Sequence, residues 1–145
     1  MNNLSIEKMS LVDLDSISNI LKTDFDDFWN ENILKKELQN PNSIYIVGKL
    51  DTEIVGFAGI TVILDTAELN YIVIKKSYRG NKFSSALLEN LINIAIEKKC
   101  KQINLEVSCK NTIAINLYEK YEFKQVGVRK KYYKDQDAIL FTKIL

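Results

Sequence analysis

Gln102-Ile-Asn-Leu-Glu-Val-Ser-Cys-Lys-Asn-Thr-Ile-Ala-Ile-Asn-Leu-Tyr-Glu-Lys-Tyr-Glu-Phe123 is the stretch on which the fold turns. It reads as a short buried strand, a polar break and a helix. The run Ile103 to Val107 is bounded by polar residues, and Asn111-Thr112 supplies an N-cap for Ile113, Ala114, Leu117, Tyr118 and Tyr121 at helical spacing. Two ionisable side chains stand out: Glu106, late in an otherwise apolar strand, and Tyr118, on the inward face of the next helix. They can converge on one cleft. Periodicity alone favours a plainer assignment, with Glu106 facing solvent and Tyr118 in the core.

Upstream lies a second strand-to-helix unit. Glu68 to Lys75 is apolar at several successive positions, which predicts a strand buried on both faces. It runs through Lys76-Ser-Tyr-Arg-Gly-Asn-Lys-Phe-Ser-Ser85 into a long helix whose inner face carries Leu87, Leu88, Leu91, Ile92, Ala95 and Ile96, with Lys98-Lys99 in the last turn. A loop with glycine and hydroxyl residues that ends on a helix N-terminus is an anion cradle in outline. Unpaired N–H groups and the positive end of the dipole point into it, and Arg79 and Lys82 add charge.

Further toward the N-terminus, Ser43 to Leu50 and Glu53 to Ile63 flank Asp51-Thr52 and predict a hairpin. Leu4, Ile6 and Lys8 alternate as a first strand. Ser10 with Asp13 starts a helix striped by Leu11, Leu14, Ile17, Ile20 and Leu21. The acidic-aromatic segment Asp24-Phe-Asp-Asp-Phe-Trp29 precedes a short helix over Glu31 to Leu38, closed by Pro41, the only proline. Its aromatics either hold a cationic substrate or tuck into the core. Downstream of Phe123, Lys124 to Lys131, Tyr132-Tyr133 and Ala138 to Ile144 give two closing strands.

With 145 residues, no repeat and no linker, the expectation is a single α/β domain over 1–145. A net charge of +1 gives no sequence-wide reason to expect nucleic acid as a partner. No apolar run reaches the roughly 18 residues of a membrane span, and the polar start does not read as a signal peptide, so a cytoplasmic protein without membrane partners is expected. Histidine is absent, which removes Ser-His-Asp and Cys-His chemistry and leaves proton transfer to Asp, Glu, Tyr, Lys, Cys or water. Cys100 and Cys109 form neither a Cys-x-x-Cys pair nor a zinc set, so no metal is expected. Cys109, just past the strand that carries Glu106, has nothing nearby in sequence to lower its pKa.

The element order resembles the GNAT superfamily of acetyl-CoA-dependent N-acetyltransferases over nearly the whole chain, and within it the RimI-type enzymes that acetylate the N-terminal alanine of a ribosomal protein. The resemblance rests on Glu68-Leu-Asn-Tyr-Ile-Val-Ile74, Ala86-Leu-Leu-Glu89, Leu105-Glu-Val107, Asn111 with Ala114, Leu117-Tyr-Glu119, and Tyr132-Tyr133 followed by Asp137-Ala-Ile139. It implies an α+β fold with a mixed, mostly antiparallel sheet of about seven strands flanked by about four helices. It also implies roles. Main-chain groups of Ile72, Val73 and Ile74 would hold the pantetheine arm and polarise the thioester, and Arg79, Gly80, Asn81, Lys82, Phe83, Ser84 and Ser85 would hold the pyrophosphate. Glu106 would be the general base, Tyr118 the acid that protonates the departing thiolate, and Asn111 a contact to the CoA arm. Trp29, Tyr132 and Tyr133 would lie beside the acceptor.

An α-amine titrates near 8 against about 10.4 for lysine, so an N-terminal acceptor asks less of its base. The implied reaction is direct transfer from acetyl-CoA to a protein N-terminal α-amine, such as the alanine of a ribosomal protein. A small-molecule amine or lysine acceptor, and a non-catalytic acyl-CoA-binding domain, are the alternatives. Two departures stand out. The family loop pattern Q/R-x-x-G-x-G/A is met only at Arg79, with Lys82 and Ser84 at the glycine and Gly/Ala positions, and Glu122 replaces a glycine before Phe123.

Overall fold

The computed structural model describes residues 3–26, 30–133 and 136–145, with the main chain alone for 131–133. Strand β1 (Leu4–Lys8) leads to α1 (Leu11–Ile17), a π-helical turn (Leu21–Phe25) and α2 (Glu31–Gln39). The hairpin β2 (Ser43–Leu50) and β3 (Glu53–Ile63) is followed by β4 (Thr66–Ile74), a 3-10 turn (Lys76–Tyr78) and α3 (Phe83–Glu97). Then come β5 (Gln102–Ser108), α4 (Thr112–Lys120), β6 (Lys124–Tyr133) and β7 (Gln136–Ile144). The strands form one seven-stranded sheet in the order β1-β2-β3-β4-β5-β7-β6, antiparallel except where β4 meets β5.

Local chemistry sets most boundaries. Ser10 caps α1 with a capping box: its hydroxyl accepts the Asp13 N–H at 3.2 Å while the Asp13 carboxylate accepts the Ser10 N–H at 2.9 Å. Asn30 caps α2 by accepting the Ile33 N–H at 2.9 Å. The first helix is shorter than its apolar stripe predicts. It ends at Ile17, and the chain rewinds as a π turn in which the Asp26 N–H reaches back to the Leu21 carbonyl at 2.9 Å. Leu21 and Phe25 stay buried across this break, whereas Leu11 is 48% exposed and does not belong to the core stripe. Likewise α3 ends at Glu97, so Lys98 and Lys99 follow it instead of filling its last turn.

The two faces of the sheet are covered differently. On face A, α3 and α4 pack Phe83, Leu87, Leu88, Leu91, Tyr118 and Phe123 over Ile60, Leu69, Ile103, Leu105, Val107 and Phe141. On face B, α1, the π turn and α2 pack Leu14, Ile17, Leu21, Phe25 and Leu34 over Tyr45, Val47, Phe57 and Val73. This second cluster contains residues of β2, β3 and β4 and none of β5 to β7. The residues of β5 that alternate with the buried ones, Gln102, Asn104, Glu106 and Ser108, therefore look onto face B, beyond the described cluster that α1, the π turn and α2 bury.

Candidate active site

The parallel pairing of β4 with β5 covers only Thr66↔Gln102, Ala67↔Ile103 and Glu68↔Asn104. Beyond it the two strands part, although β4 runs on to Ile74 and β5 to Ser108. The cause is visible in the β3–β4 register: Gly59 pairs with Tyr71 but its neighbour Ile60 pairs with Leu69, leaving Asn70 as an extra residue on β4. Such a bulge bends its strand and re-aims the side chains that follow. The bulge is fastened by the Asn70 amide, which donates to Thr61 Oγ1 at 2.7 Å and to Glu37 Oε1 at 3.4 Å. The strand expected to be buried on both faces is accordingly mixed, with Val73 and Ile74 buried, Tyr71 and Ile72 half-buried, and Glu68 and Asn70 exposed.

The parting exposes one edge of β4. The Lys75 N–H donates to the Val55 carbonyl across β3 at 2.8 Å. Backbone groups alternate in direction along a strand, so those of Val73 also turn toward β3, while those of Ile72 and Ile74 turn toward the open side. Of the three residues expected to offer main-chain contacts, Ile72 and Ile74 thus have them aimed into the cleft. The Ile74 carbonyl is already engaged, accepting from Arg79 Nε at 3.0 Å.

At the far end of β4 lies the loop. Tyr78 and Lys75 both donate to the Glu53 carboxylate, at 2.7 and 2.9 Å, and the Asn81 amide donates to the Tyr78 carbonyl at 2.9 Å. Phe83 is 5% exposed and packs on the Tyr78 ring, so its side chain anchors the loop in the core. Gly80 has φ +87° and Lys82, the N-cap of α3, has φ +64°. Lys82 gives no side-chain cap, and the first turn of a helix leaves its N–H groups without intrahelical acceptors, so those of Phe83, Ser84 and Ser85 face outward at the positive end of a 15-residue helix. Such a helix start is suited to an anion. Arg79 departs from the expected geometry: besides Ile74, its guanidinium donates to the Phe25 carbonyl at 2.7 Å.

Glu106 and Tyr118 approach the parting from opposite faces. Glu106 extends from face B, exposed, and its Oε1 accepts from Arg129 Nη2 at 2.6 Å. Arg129 reaches it because β6 and β5 both pair with β7, placing Arg129 opposite Ala138 and Glu106 opposite Leu140. Tyr118, 8% exposed, comes from face A with its ring against Phe123 and Phe141, at centroid distances of 5.6 and 6.5 Å. Across the parting stands Tyr71 on face B. Burial and a 2.5 Å hydrogen bond to Asp26 push its phenol well above the ordinary range, and Tyr118 lies within electrostatic reach and adds to the effect.

Asn111 is the N-cap of α4, its Oδ1 accepting the Ala114 N–H at 3.2 Å. Cys109 is exposed in the turn before it. Phe25, one of the aromatics of the acidic segment, is fully buried against Phe57. Trp29 lies outside the described residues, as do the side chains of Tyr132 and Tyr133 at the end of β6. Among the described residues, no group of three or more His, Cys, Asp or Glu side chains could hold a metal, and no helix is long and apolar enough to cross a membrane. Tyr71 and Arg129 are the residues that sequence reading missed at this site, and Asp26 enters that reading only as part of the acidic-aromatic segment. Only the period-two pattern could have pointed to Tyr71; the others depend on long-range register.

The acetyltransferase (GNAT) family pattern matches residues 14–123. The chain belongs to the GNAT family. A provisionally named ribosomal protein bS18-alanine N-acetyltransferase of Bacillus subtilis (strain 168) is 32% identical over 139 residues, covering 94% of this chain and 92% of the relative. The ribosomal protein bS18-alanine N-acetyltransferase of Haemophilus influenzae is 37% identical over 107 residues, 72% of this chain and 70% of the relative. The crystal structure of the ribosomal-protein-S18-alanine N-acetyltransferase from Escherichia coli superposes with a TM-score of 0.88 at 27% identity, covering 97% of this chain and 93% of that one. The sheet with its parted middle strands is thus the family's fold, as the resemblance implied.

Proposed function

We propose that residues 1–145 form one cytoplasmic N-acetyltransferase domain that moves acetyl directly from acetyl-CoA to a protein N-terminal α-amine, with the N-terminal alanine of a ribosomal protein as the acceptor. The observation that carries this reading is the parting of β4 and β5, with Glu106 and Tyr118 approaching it from opposite faces and the anion site of α3 at its end. The names of the relatives agree with it.

In this reading the N–H groups at the start of α3, with the Lys82 ammonium, hold the pyrophosphate, and Asn111 contacts the CoA arm from the start of α4. The main-chain groups of Ile72 and the Ile74 N–H hold the pantetheine and polarise the thioester carbonyl, stabilising the oxyanion that forms as the amine adds. Arg129 occupies Oε1 of Glu106, leaving Oε2 to take the proton from the attacking amine, directly or through water. The Tyr118 hydroxyl then gives its proton to the departing CoA sulfur. The C–S bond breaks as the amide C–N bond is completed, with no acyl-enzyme. Face B over β5 and β7 receives the acceptor, and the resemblance alone assigns Trp29, Tyr132 and Tyr133 to it.

The test is to incubate the protein with acetyl-CoA and peptides of varied N-terminal residue, alongside polyamines and lysine peptides, and to read the mass. A gain of one acetyl group on the α-amine of Ala-starting peptides is expected. Acetylation of polyamines or lysine side chains alone would replace this acceptor assignment, and binding of acetyl-CoA with no transfer to any amine would overturn catalysis itself.

A further inference from the structure

Arg79 stands first in the phosphate loop, yet its guanidinium holds two main-chain carbonyls, those of Ile74 at the end of β4 and Phe25 at the end of the π turn. Phe25 lies 54 positions before Arg79 in the chain. The residue after it, Asp26, accepts the Tyr71 hydroxyl from β4 at 2.5 Å. Phe25 itself is fully buried against Phe57, so the carbonyl that Arg79 grips belongs to a fixed point of the face B core. Two separate bonds therefore tie the Phe25–Asp26 segment, which borders face B, to the strand and loop assigned to acetyl-CoA.

We propose that Arg79, together with the Tyr71–Asp26 pair, is a brace that couples the cosubstrate loop to the acceptor side, so that CoA bound at the α3 N-terminus strengthens acceptor binding. Arg79 is then a positioning residue and not a phosphate ligand. A planar fork suits this role, because Nε and Nη2 diverge to satisfy two carbonyls at fixed spacing, which a single ammonium cannot do. The fork also withdraws the Ile74 carbonyl from the cleft, leaving the N–H of that residue as its contribution to the thioester. Coupling is reciprocal, so an acceptor bound on face B tightens CoA by the same factor.

The inference rests on the acetyl-transfer reading for its kinetic arm, and a second arm is independent of it. Arg79→Lys and Tyr71→Phe keep the size and most packing of the originals, and their thermal midpoints establish that they fold. In steady-state transfer to an Ala-starting peptide, each is expected to raise the peptide KM about fivefold or more. The calorimetric Kd for CoA measured without peptide should stay within about twofold of wild type, since uncoupled sites leave each ligand its intrinsic affinity. In hydrogen exchange, CoA is expected to slow the amides of residues 22–26 in the wild type and not in Arg79→Lys. An Arg79→Lys protein that binds CoA and 3′,5′-ADP tenfold more weakly with an unchanged peptide KM would make Arg79 a phosphate ligand and overturn the brace. Exchange at 22–26 indifferent to CoA in the wild type would overturn it as well. Loss of the exchange coupling in a protein that acetylates no peptide would leave the brace standing and remove only the acceptor assignment.

Discussion

Lys82 adopts φ +64° and ψ +19° at the head of α3, a left-handed conformation in a residue with a Cβ. That conformation costs an L-residue roughly 1–2 kcal/mol, and glycine adopts it freely. Glycine also enlarges the entropy of the unfolded chain by about 0.5–1 kcal/mol, so the net gain expected for Lys82→Gly is about 0.5–1 kcal/mol. For a chain of this size it appears as a rise of about 2–4 °C per kcal/mol in the thermal midpoint. Lys82→Ala separates the two properties of the residue, since alanine keeps the left-handed cost and loses the ammonium. Its midpoint should not rise. Its acetyl-CoA affinity at low salt should fall by about fivefold, the worth of one exposed charge pair at about 4 Å in water, and the loss should shrink as salt is added. Lys82→Gly loses the same charge but opens the backbone to the phosphate, and its affinity should exceed that of Lys82→Ala. Urea or thermal denaturation and titration calorimetry of the three proteins decide the matter. Equal stabilisation by alanine and glycine would refute the conformational argument, and unchanged affinity in Lys82→Ala would refute the electrostatic one.

Other perturbations follow from the same geometry. Tyr118→Phe keeps the ring against Phe123 and Phe141, so its thermal midpoint should match wild type while kcat falls about 100-fold, and Glu106→Gln should lose a similar factor; unchanged turnover in either would remove that residue from the chemistry. Gly59 lies opposite Tyr45, and a Cβ there would sit 2.3 Å from the Tyr45 ring, so Gly59→Ala should cost about 2 kcal/mol or more by displacing a buried aromatic, read as a lower urea midpoint. Burial works against the charge on Asp13, but the Ser10 N–H, the Lys49 ammonium and the Ser10 hydroxyl outweigh it and hold the carboxyl below its ordinary 3.8. A depressed folded-state pKa stabilises above the unfolded value and is lost as pH falls through the folded one, so the urea midpoint should drop more between about pH 5 and pH 2 in wild type than in Asp13→Asn.

Elements that rest on local chemistry were readable from the residues. The hairpin strands run from Ser43 to Leu50 and from Glu53 to Ile63, as the runs rich in Ile, Val, Tyr and Phe either side of Asp51-Thr52 predict, with Asp51 at φ +55° making the turn. The capping box at Ser10 and the N-cap at Asn111 are where the side-chain chemistry requires them. What was not readable depends on distant partners. The π turn at Leu21–Phe25 interrupts an apolar pattern that continues unbroken in sequence, because Leu21 and Phe25 both find burial after the change of pitch. The bulge at Asn70 is a property of register against β3, and without it β4 reads as an ordinary buried strand. For Arg79, proximity to a glycine and two serines pointed to phosphate, and nothing in the sequence indicates that a carbonyl 54 positions earlier would take its guanidinium.

The two departures from the family pattern have one physical meaning, and the second bears on Tyr118. Glu122 has φ +68°, the left-handed conformation again. It sits where α4 ends in a Schellman arrangement: the Phe123 N–H reaches back to the Tyr118 carbonyl at 3.0 Å, and the Phe123 ring packs on the Tyr118 ring. The residue in the left-handed conformation therefore closes the turn that presses Phe123 against the ring of the proposed acid. Lys143 adds to this end of the helix by donating to the Tyr121 carbonyl at 2.8 Å. Glu122→Gly should relieve the strain and stabilise by about 0.5–1 kcal/mol, as at Lys82. It should leave kcat unchanged, because the turn already has the geometry that glycine prefers and Tyr118 would not move. Phe123→Ala should do the opposite: it removes the ring that holds Tyr118, costs about 3–5 kcal/mol as a large-to-small change in the core, and lowers kcat in whatever protein remains folded. A stabilised Glu122→Gly with depressed kcat would show that the glutamate itself serves the reaction, and that its place before Phe123 is more than a strained substitute for glycine.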